Sequence, residues 1–357
     1  MSFERPNIAK MQGYTPGEQL DAEGLIKLNT NENPYPASPA VSTALQEIQV
    51  NMLRRYPPPL ADEFRTAAAK LHSVASSNII PTNGGDELLR LAITTFIESD
   101  ETIAVTKPSY SLYPVLAAVQ ACKLVEIPLQ SDWSMPDNFI DTLQASGAKM
   151  LMLVNPHAPT GGLLPSSYLA KIADNFSGVV LVDEAYVDFV DPNLAHDTVP
   201  LIAKYDNLLI LRTLSKAYSL AGLRFGYGIG AESLIRPMMY KTRDAYNTDY
   251  IAQKLATAAL LSVDYARQTW EKIRSERSSL ASRLEALGMS VYPSQSNFLL
   301  CKMPAATDAA ELCQALKQRN ILVRHFQQDR LQDKLRISVG SKIENAALIA
   351  ALDDILA

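Results

Sequence analysis

Residues 208–230 read LLILRTLSKAYSLAGLRFGYGIG, and the rest of the chain can be interpreted outward from this stretch. The apolar run at 208–211 predicts a buried strand, and it ends in a polar turn that carries Lys216. Arg224 follows, and four glycines after the lysine permit tight turns and close packing of the backbone. The amine of such a lysine can attack a carbonyl carbon if burial or a neighbouring cation lowers its pKa. On these residues alone, a surface lysine in a loop is the simpler interpretation.

Length and composition restrict the class of protein. The 357 residues are 47% apolar and 20% charged, which is typical of a globular protein with a large core. The net charge of −5 and the lack of a basic block argue against nucleic acid or an anionic membrane as a partner. The sequence shows neither a membrane span nor the apolar segment of a signal peptide. We therefore expect a cytoplasmic protein.

Short apolar runs alternate with predicted helices from residue 79 to residue 230. This alternation predicts an α/β fold with a mostly parallel sheet that is covered by helices on both faces. The C-terminal part predicts a smaller α+β domain, and the N-terminal part, rich in proline and asparagine, predicts an extended arm. We expect the arm and the start of the small domain at 1–45, the large domain at 46–250, and the small C-terminal domain at 251–357.

Three local patterns make further predictions about secondary structure. The apolar residues at 25–28 predict a short strand within the arm. Ser38 and Pro39 predict the start of an amphipathic helix over 38–53. Apolar residues at helical spacing predict one long helical tract at about 248–288.

A glycine turn at 83–86 lies between a predicted strand and a predicted helix. Gly84 and Gly85 permit close approach to backbone N–H groups at the start of the helix, where a phosphate is favoured. Asp86 can cap the helix. The turn lacks the lysine of a Walker loop, and a glycine pair alone is a weak signal.

Polar residues that follow the predicted strands are the other candidates, since ligands of parallel sheets bind at the carboxyl ends of the strands. These residues are Asn155, Asp183, Tyr186, Thr213, Ser215 and Lys216.

Seven motifs follow one another along the chain: NENPYP at 31–36, YP at 56–57, NGGDE at 83–87, NPHAPTG at 155–161, DEAY at 183–186, TLSKAYSLAGLR at 213–224 and RISVG at 336–340. Together they resemble those of the fold-type I, pyridoxal-phosphate-dependent aminotransferases of class I and II. Each motif alone is weak, but their order and spacing are specific, and they extend over nearly the whole chain. Within this family, the resemblance is closest to the histidinol-phosphate aminotransferases. It implies a large domain with a seven-stranded, mostly parallel sheet.

The resemblance implies a role for each residue around the ring of pyridoxal 5'-phosphate. Lys216 would hold the cofactor covalently and then move the α-proton as general base and acid. Asp183 would face the pyridine nitrogen and keep it protonated. Asn155 and Tyr186 would bond to the phenolic oxygen of the ring, and Tyr110 would stack on the face of the ring.

The resemblance also implies which residues bind the cofactor phosphate. An arginine suits this group because its planar guanidinium forms bidentate hydrogen bonds. Tyr56 matches a tyrosine that reaches the phosphate of the partner subunit, which implies a homodimer with shared active sites. The residues within one subunit are Gly84, Gly85, Asp86, Thr213, Ser215 and Arg224.

Substrate anions would bind to a separate group of residues. Arg336 matches the arginine that binds the α-carboxylate of the substrate. Arg324, Tyr14 and Asn33 occupy positions where the resemblance implies further contacts with a phosphorylated substrate.

Two positions depart from the family pattern. His157 stands where asparagine is more usual, and we interpret it as a loop substitution rather than a catalytic histidine. Ala245 replaces a common proline. The three cysteines, Cys122, Cys301 and Cys313, do not indicate disulfides, and no metal site is expected.

The resemblance implies a transaminase that interconverts histidinol phosphate plus 2-oxoglutarate and imidazole-acetol phosphate plus glutamate, within histidine biosynthesis. The amino acid and the phosphorylated keto compound would be its small-molecule partners. A threonine-phosphate decarboxylase or an aromatic or broad-specificity aminotransferase of the same fold remains an alternative. A non-catalytic protein of this fold is disfavoured because Lys216, Asp183, Tyr186 and Arg224 are all present.

Overall fold

A seven-stranded sheet forms the centre of the computed structural model, which describes residues 3–20 and 22–356. The strands are ordered β2-β8-β7-β6-β5-β3-β4. Only β8 runs antiparallel to its neighbours, so the predicted seven-stranded, mostly parallel sheet is confirmed. These strands are β2 (Ile79–Thr82), β3 (Thr102–Lys107), β4 (Lys123–Pro128), β5 (Met150–Val154), β6 (Val179–Asp183), β7 (Leu208–Thr213) and β8 (Gly226–Gly230), and β1 (Ile26–Lys27) lies outside this sheet.

The central strands β5, β6 and β7 are almost entirely buried, as expected for apolar runs covered on both faces. Their carboxyl ends lie at one edge of the sheet, where Asn155, Asp183 and Thr213 follow or end the strands. The helices that precede or follow the strands are α1 (Pro6–Ala9), α2 (Pro39–Gln46), α3 (Asp62–His72), α4 (Gly85–Phe96), α5 (Leu112–Gln120), α6 (Phe139–Ala145), α7 (Ser166–Asn175), α8 (Glu232–Pro237) and α9 (Tyr250–Leu261).

The C-terminal part contains a second sheet with the order β12-β13-β10-β9. The arm pairs with this part in a separate two-stranded sheet, in which β1 runs parallel to β11, and β1 confirms the short strand predicted at 25–28. The elements of this part are α10 (Val263–Ala286), β9 (Ser290–Val291), β10 (Phe298–Lys302), α11 (Ala309–Gln318), β11 (Ile321–Leu322), β12 (Arg324–His325), β13 (Lys334–Ser338) and α12 (Lys342–Leu356).

Helix α10 connects two hydrophobic cores. Its residue Ile273 packs in the core around the seven-stranded sheet, whereas Leu280 and Leu284 pack in the core of the C-terminal part. A helix shared in this way ties the two parts together, and the domain boundary at 250–251 stays a prediction.

Two predicted helices are shorter in the structure. The helix expected at 38–53 begins at Pro39, with the Ser38 side chain accepting from the Ala40 N–H, but ends at Gln46. Beyond it, Ile48 still packs against the core, but Val50 and Leu53 are exposed and lie in a short 3₁₀ helix at Val50–Arg54.

The helical tract expected at 248–288 is interrupted at Ser262, between α9 and α10. The Ser262 hydroxyl donates to the Ala258 carbonyl at 2.7 Å, which is the kind of local bond that competes with a continuous helix.

Over residues 3–20 and 22–356, none of the helices combines the length and the apolar character needed to cross a membrane.

Candidate active site

A cleft of about 290 Å³ opens at the carboxyl edge of the central sheet. The arm covers one side of it, and β12 and β13 form another side. The cleft brings together twelve of the sixteen residues that the sequence predicted for the site. They are Tyr14, Gly85, Asp86, Tyr110, Asp183, Tyr186, Thr213, Ser215, Lys216, Arg224, Arg324 and Arg336.

Lys216 lies in this cleft on the turn after β7. Its Nζ donates to the Thr30 carbonyl of the arm at 2.8 Å. Burial, followed by the nearby positive charge of Arg336, lowers the pKa of the Lys216 amine to about 8, although Glu32 acts in the opposite direction. Because an unprotonated amine is the nucleophilic form, the site favours attack on a carbonyl carbon near neutral pH.

Asp183 ends β6 and is buried. The Tyr113 hydroxyl donates to its Oδ2 at 3.3 Å, and the Ala185 N–H donates to its Oδ1 at 3.1 Å. Burial raises the pKa of the Asp183 carboxyl to about 7, against the opposing effect of the Ala185 hydrogen bond. A cationic group beside this carboxyl would lower its pKa again and form a buried ion pair.

Tyr186 forms a hydrogen bond with Asn31, a residue of the arm that was not among the site residues predicted from the sequence. The Asn31 Nδ2 donates to the Tyr186 hydroxyl at 3.0 Å, and Ser338 donates to the Asn31 Oδ1 at 3.0 Å. Asn31 adopts a positive φ of 57°. Asn31 could have been selected from the sequence as the first residue of the NENPYP motif, but its partner, Tyr186, is 155 positions away.

A group of hydrogen-bond donors forms a cradle at the start of α4. Gly84 is the N-cap of this helix, with φ of 78°. The Thr213 hydroxyl donates to Ser215 Oγ at 3.0 Å, and Arg224 Nη1 lies 3.4 Å from the same Ser215 oxygen. A helix N-terminus, two hydroxyls and a guanidinium are the donors that a phosphate monoester prefers.

The back of this cradle requires glycine at position 226. A Cβ added at Gly226 would lie 2.8 Å from the carbonyl carbon of Gly84 and 2.8 Å from the nitrogen of Gly85. At Gly222, by contrast, an added Cβ meets no atom within 4 Å.

We expect Gly226→Ala to destabilise the fold by about 1–3 kcal/mol, since inserting a methyl group into packed backbone forces that backbone to move. It should also weaken binding of inorganic phosphate by the cofactor-free protein. Urea unfolding and calorimetric titration measure the two effects. Gly222→Ala is the matched control, and equal behaviour of the two variants would show that the close approach does not matter.

Arg336 and Arg324 line the same cleft from β13 and β12. The Arg336 Nη2 donates to the Asn29 carbonyl at 2.9 Å. Its Nε is buried without a hydrogen-bond partner among the described residues. Burial lowers the pKa of this guanidinium, and Arg324 acts in the same direction. A buried donor that lacks a partner marks a place where an anionic ligand would bind.

Four predicted site residues do not line the cleft. Asn155 is buried, and its amide exchanges two hydrogen bonds with the Leu164 backbone, at 3.1 and 2.8 Å. Gly84 faces the cradle, because a Cβ added there would lie 2.6 Å from Arg224 Nη2, but it does not line the cleft itself. Asn33 points to the other side of the Lys216 loop, where its Nδ2 donates to the Ala217 carbonyl at 3.2 Å. The roles of these residues in binding stay predictions.

Tyr56 is the fourth of these residues, and it is 80% exposed. Its ring stacks on that of Tyr246, with centroids 4.4 Å apart. An exposed position suits contact with another subunit, which is the role that the sequence analysis predicted.

His157 is buried and links two loops. Its Nε2 lies 3.0 Å from the Pro108 carbonyl, and its Nδ1 lies 2.8 Å from Thr160 Oγ1. Burial lowers the pKa of His157 to about 4, so the ring is neutral near pH 7. Since a carbonyl only accepts, Nε2 carries the proton. These contacts support its interpretation as a structural loop residue.

Within the part of the chain that the structure describes, no group of three or more histidine, cysteine, aspartate or glutamate side chains could hold a metal ion.

Comparison with known proteins identifies the family. Residues 23–353 match the family model "Aminotransferase class I and II". The histidinol-phosphate aminotransferase of Microcystis aeruginosa is 42% identical over 352 residues, which are 99% of this chain and 98% of that protein. That of Citrifermentans bemidjiense is 40% identical, with 98% of each chain covered. The chain therefore belongs to the class I and II aminotransferase family. It is an aminotransferase, as the motifs predicted.

Solved structures agree with this fold. The histidinol-phosphate aminotransferase of Sinorhizobium meliloti, crystallised in complex with pyridoxal-5'-phosphate, has a TM-score of 0.89 at 23% identity and covers 100% of this chain and 98% of its own. The L-threonine-O-3-phosphate decarboxylase of Porphyromonas gingivalis has a TM-score of 0.80, also at 23% identity. The fold is therefore compatible with both reactions and does not by itself choose between them.

Proposed function

We propose that this chain is a pyridoxal-phosphate-dependent transaminase that interconverts histidinol phosphate plus 2-oxoglutarate and imidazole-acetol phosphate plus glutamate, in histidine biosynthesis. The observation that carries the proposal is the position of Lys216. Its buried amine lies in a cleft that is lined both by the phosphate cradle and by two further arginines, Arg324 and Arg336. The relatives at 40–42% identity that bear the name histidinol-phosphate aminotransferase support the choice of substrate.

The residues of the cleft fit the cofactor. Gly85, Thr213, Ser215 and Arg224 would hold its phosphate, and Asp183 would hold its pyridine nitrogen. A carboxyl with a pKa of about 7 suits this position, because a cationic ring nitrogen would favour its ionised form. When bound, pyridoxal phosphate supplies an electron sink that stabilises the negative charge left by removal of the α-proton.

The residues of the chain bind and orient the substrate and transfer the α-proton. Arg336 binds the anionic group of the substrate and thereby orients the α-carbon toward Lys216. Lys216 Nζ takes the α-proton as general base and returns it as general acid. Tyr186, whose hydroxyl accepts a hydrogen bond from Asn31, lines the same cleft. The arm contributes Thr30, whose carbonyl accepts from Lys216 Nζ and fixes the direction of the amine.

The two substrates place different anions at the same end of the cleft. Glutamate carries an α-carboxylate, whereas histidinol phosphate carries a phosphate ester on the neighbouring carbon. Arg336 would contact both, and Arg324 and Tyr14 would add contacts to the phosphate. The proposal includes a homodimer in which Tyr56 completes the partner's cofactor site, and a cytoplasmic location.

The pH dependence of cofactor attachment follows from the pKa of Lys216. The protonated amine is not nucleophilic, so the rate at which the cofactor-free protein binds pyridoxal phosphate covalently should rise as pH increases through about 8. An unperturbed lysine would show this rise near the ordinary value of 10.5. Stopped-flow absorbance at several pH values measures the midpoint, and a midpoint near 10.5 would contradict the depressed pKa.

A spectroscopic titration tests the proposed function. The purified holoenzyme should show the visible absorbance of a lysine-bound cofactor, lose it on addition of L-histidinol phosphate and recover it on addition of 2-oxoglutarate. Loss with L-glutamate but not with L-histidinol phosphate would retain the aminotransferase and reject the substrate. Release of carbon dioxide from phosphothreonine would favour the decarboxylase.

A further inference from the structure

Two arginines of the cleft lie directly opposite each other on neighbouring strands. Arg324 of β12 pairs with Arg336 of β13 in the antiparallel register. Like charges in this arrangement destabilise a sheet. In the described part of the chain, neither guanidinium forms an ion pair with a carboxylate at 4.0 Å or less. Interactions other than ion pairs therefore hold the two cations in the same cleft. Arg336 has two of its own, since it donates to the Asn29 carbonyl at 2.9 Å and lies 5.2 Å from the centroid of the Phe298 ring.

Phe326, two residues beyond Arg324, provides such an interaction. The Cζ atoms of Arg324 and Arg336 each lie 5.6 Å from the centroid of its ring. Both distances are within the ~6 Å range in which the negative potential of an aromatic face attracts a cation. Phe326 is half-buried and lines the cleft beside both arginines.

We propose that Phe326 is a positioning residue that holds Arg324 and Arg336 together as a single subsite for a dianion. This inference rests on the proposed function, since it explains how one end of the cleft could favour a phosphate ester over a carboxylate. A dianion interacts favourably with both guanidinium groups, whereas the single charge of a carboxylate gains half as much from the same pair of cations. The selectivity therefore depends on keeping the second arginine near the first.

The backbone around Phe326 is anchored from outside the cleft. Arg330 donates from Nη1 to the Leu129 carbonyl at 2.8 Å, and its guanidinium lies 4.2 Å from the centroid of the Trp133 ring. This anchor ties the segment after β12 to the loop after β4. The ring of Phe326 is thus presented from a fixed segment rather than from a free loop end.

Phe326→Leu tests the proposal, because leucine retains apolar bulk but lacks the aromatic face. The holoenzyme, whose phosphate cradle is filled by the cofactor, is mixed with L-glutamate, and the half-reaction is inhibited with inorganic phosphate or with acetate. The inhibition constant for phosphate should rise about threefold to thirtyfold, the range expected for loss of cation–π contacts. That for acetate should rise less, so the preference for the dianion should fall.

Phe326→Tyr, which keeps the aromatic face, should restore the preference for phosphate. Phe96→Leu is the matched control, since Phe96 is also half-buried but does not line the cleft. An equal change in both inhibition constants would assign Phe326 a packing role alone. No change, or a wild-type enzyme that phosphate does not inhibit, would also overturn the proposal.

The proposed function is judged separately, by turnover of L-histidinol phosphate by the wild-type enzyme. If that turnover is absent while Phe326→Leu still lowers the preference for phosphate, the proposed dianion subsite is supported and histidinol phosphate is rejected as the substrate. If turnover is present and Phe326→Leu keeps the preference for phosphate over acetate, the proposed function is supported and the proposed role of Phe326 is rejected.

Discussion

Lys216→Ala is expected to lower the rate of transamination by about a thousandfold or more, because a positioned general acid–base group alone contributes about 10²–10⁴. The variant also loses the amine that binds the cofactor covalently. The Thr30 carbonyl, which accepts from Lys216 Nζ, loses its donor. The phosphate cradle is untouched, so the variant should still bind the cofactor without a covalent bond.

Two measurements separate these effects. Single-turnover kinetics with L-glutamate report the loss of proton transfer, and borohydride reduction followed by mass spectrometry reports covalent attachment. Lys216→Arg retains a cation without a nucleophilic amine, so it should fail in both assays as well. Lys204→Ala, at an exposed lysine outside the cleft, is the control. Full turnover by Lys216→Ala would refute the proposed mechanism.

Arg336→Gln is expected to lower kcat/KM for L-glutamate by about thirtyfold or more. Removing one partner of a buried, hydrogen-bonded charge pair costs about 2–5 kcal/mol, and each ~1.4 kcal/mol corresponds to a factor of ten. The Arg336 Nε, buried and without a partner among the described residues, is the donor that the substrate anion would satisfy. Steady-state kinetics with both amino donors measure the effect.

The same variant has a second expected result that a purely structural role would not produce. Arg336 lowers the pKa of Lys216 through its positive charge. Without that charge the ammonium form of Lys216 is more stable, so the midpoint for cofactor attachment should move to higher pH. Arg319→Gln is the control, because Arg319 forms an exposed ion pair with Asp354, of the kind that contributes little to stability. An unchanged kcat/KM would remove Arg336 from the substrate site.

Much of the fold could be predicted from local patterns in the sequence. The buried strands β5, β6 and β7 are continuous apolar runs, and such runs are recognisable without knowledge of their neighbours. The interruption at Ser262 was not predicted, because the residues on both sides of it keep helical spacing.

The candidate site could be predicted only in part. Lys216 and Asp183 were candidates because polar residues that end or follow parallel strands lie at one edge of the sheet, and the family motifs then assigned their roles. Asn31 and Tyr113 were missed, since their bonds to Tyr186 and Asp183 join segments that are 155 and 70 positions apart. The periodicity of apolar residues depends only on residues that are close in the chain, so it cannot predict contacts between residues this far apart.

The sequence alone determined the alternation of strands and helices, the lysine at the end of β7 and the glycine turn before α4, because each depends on interactions between residues close in the chain. The tertiary structure decided which of the candidate side chains face one another. It placed Arg324 opposite Arg336 with Phe326 near both, turned Asn33 away from the cleft, and lowered the pKa of Lys216 by burying its amine among distant segments. Burial and the approach of charges are properties of packed segments, and they arise only when the arm, the central sheet and the C-terminal strands come together.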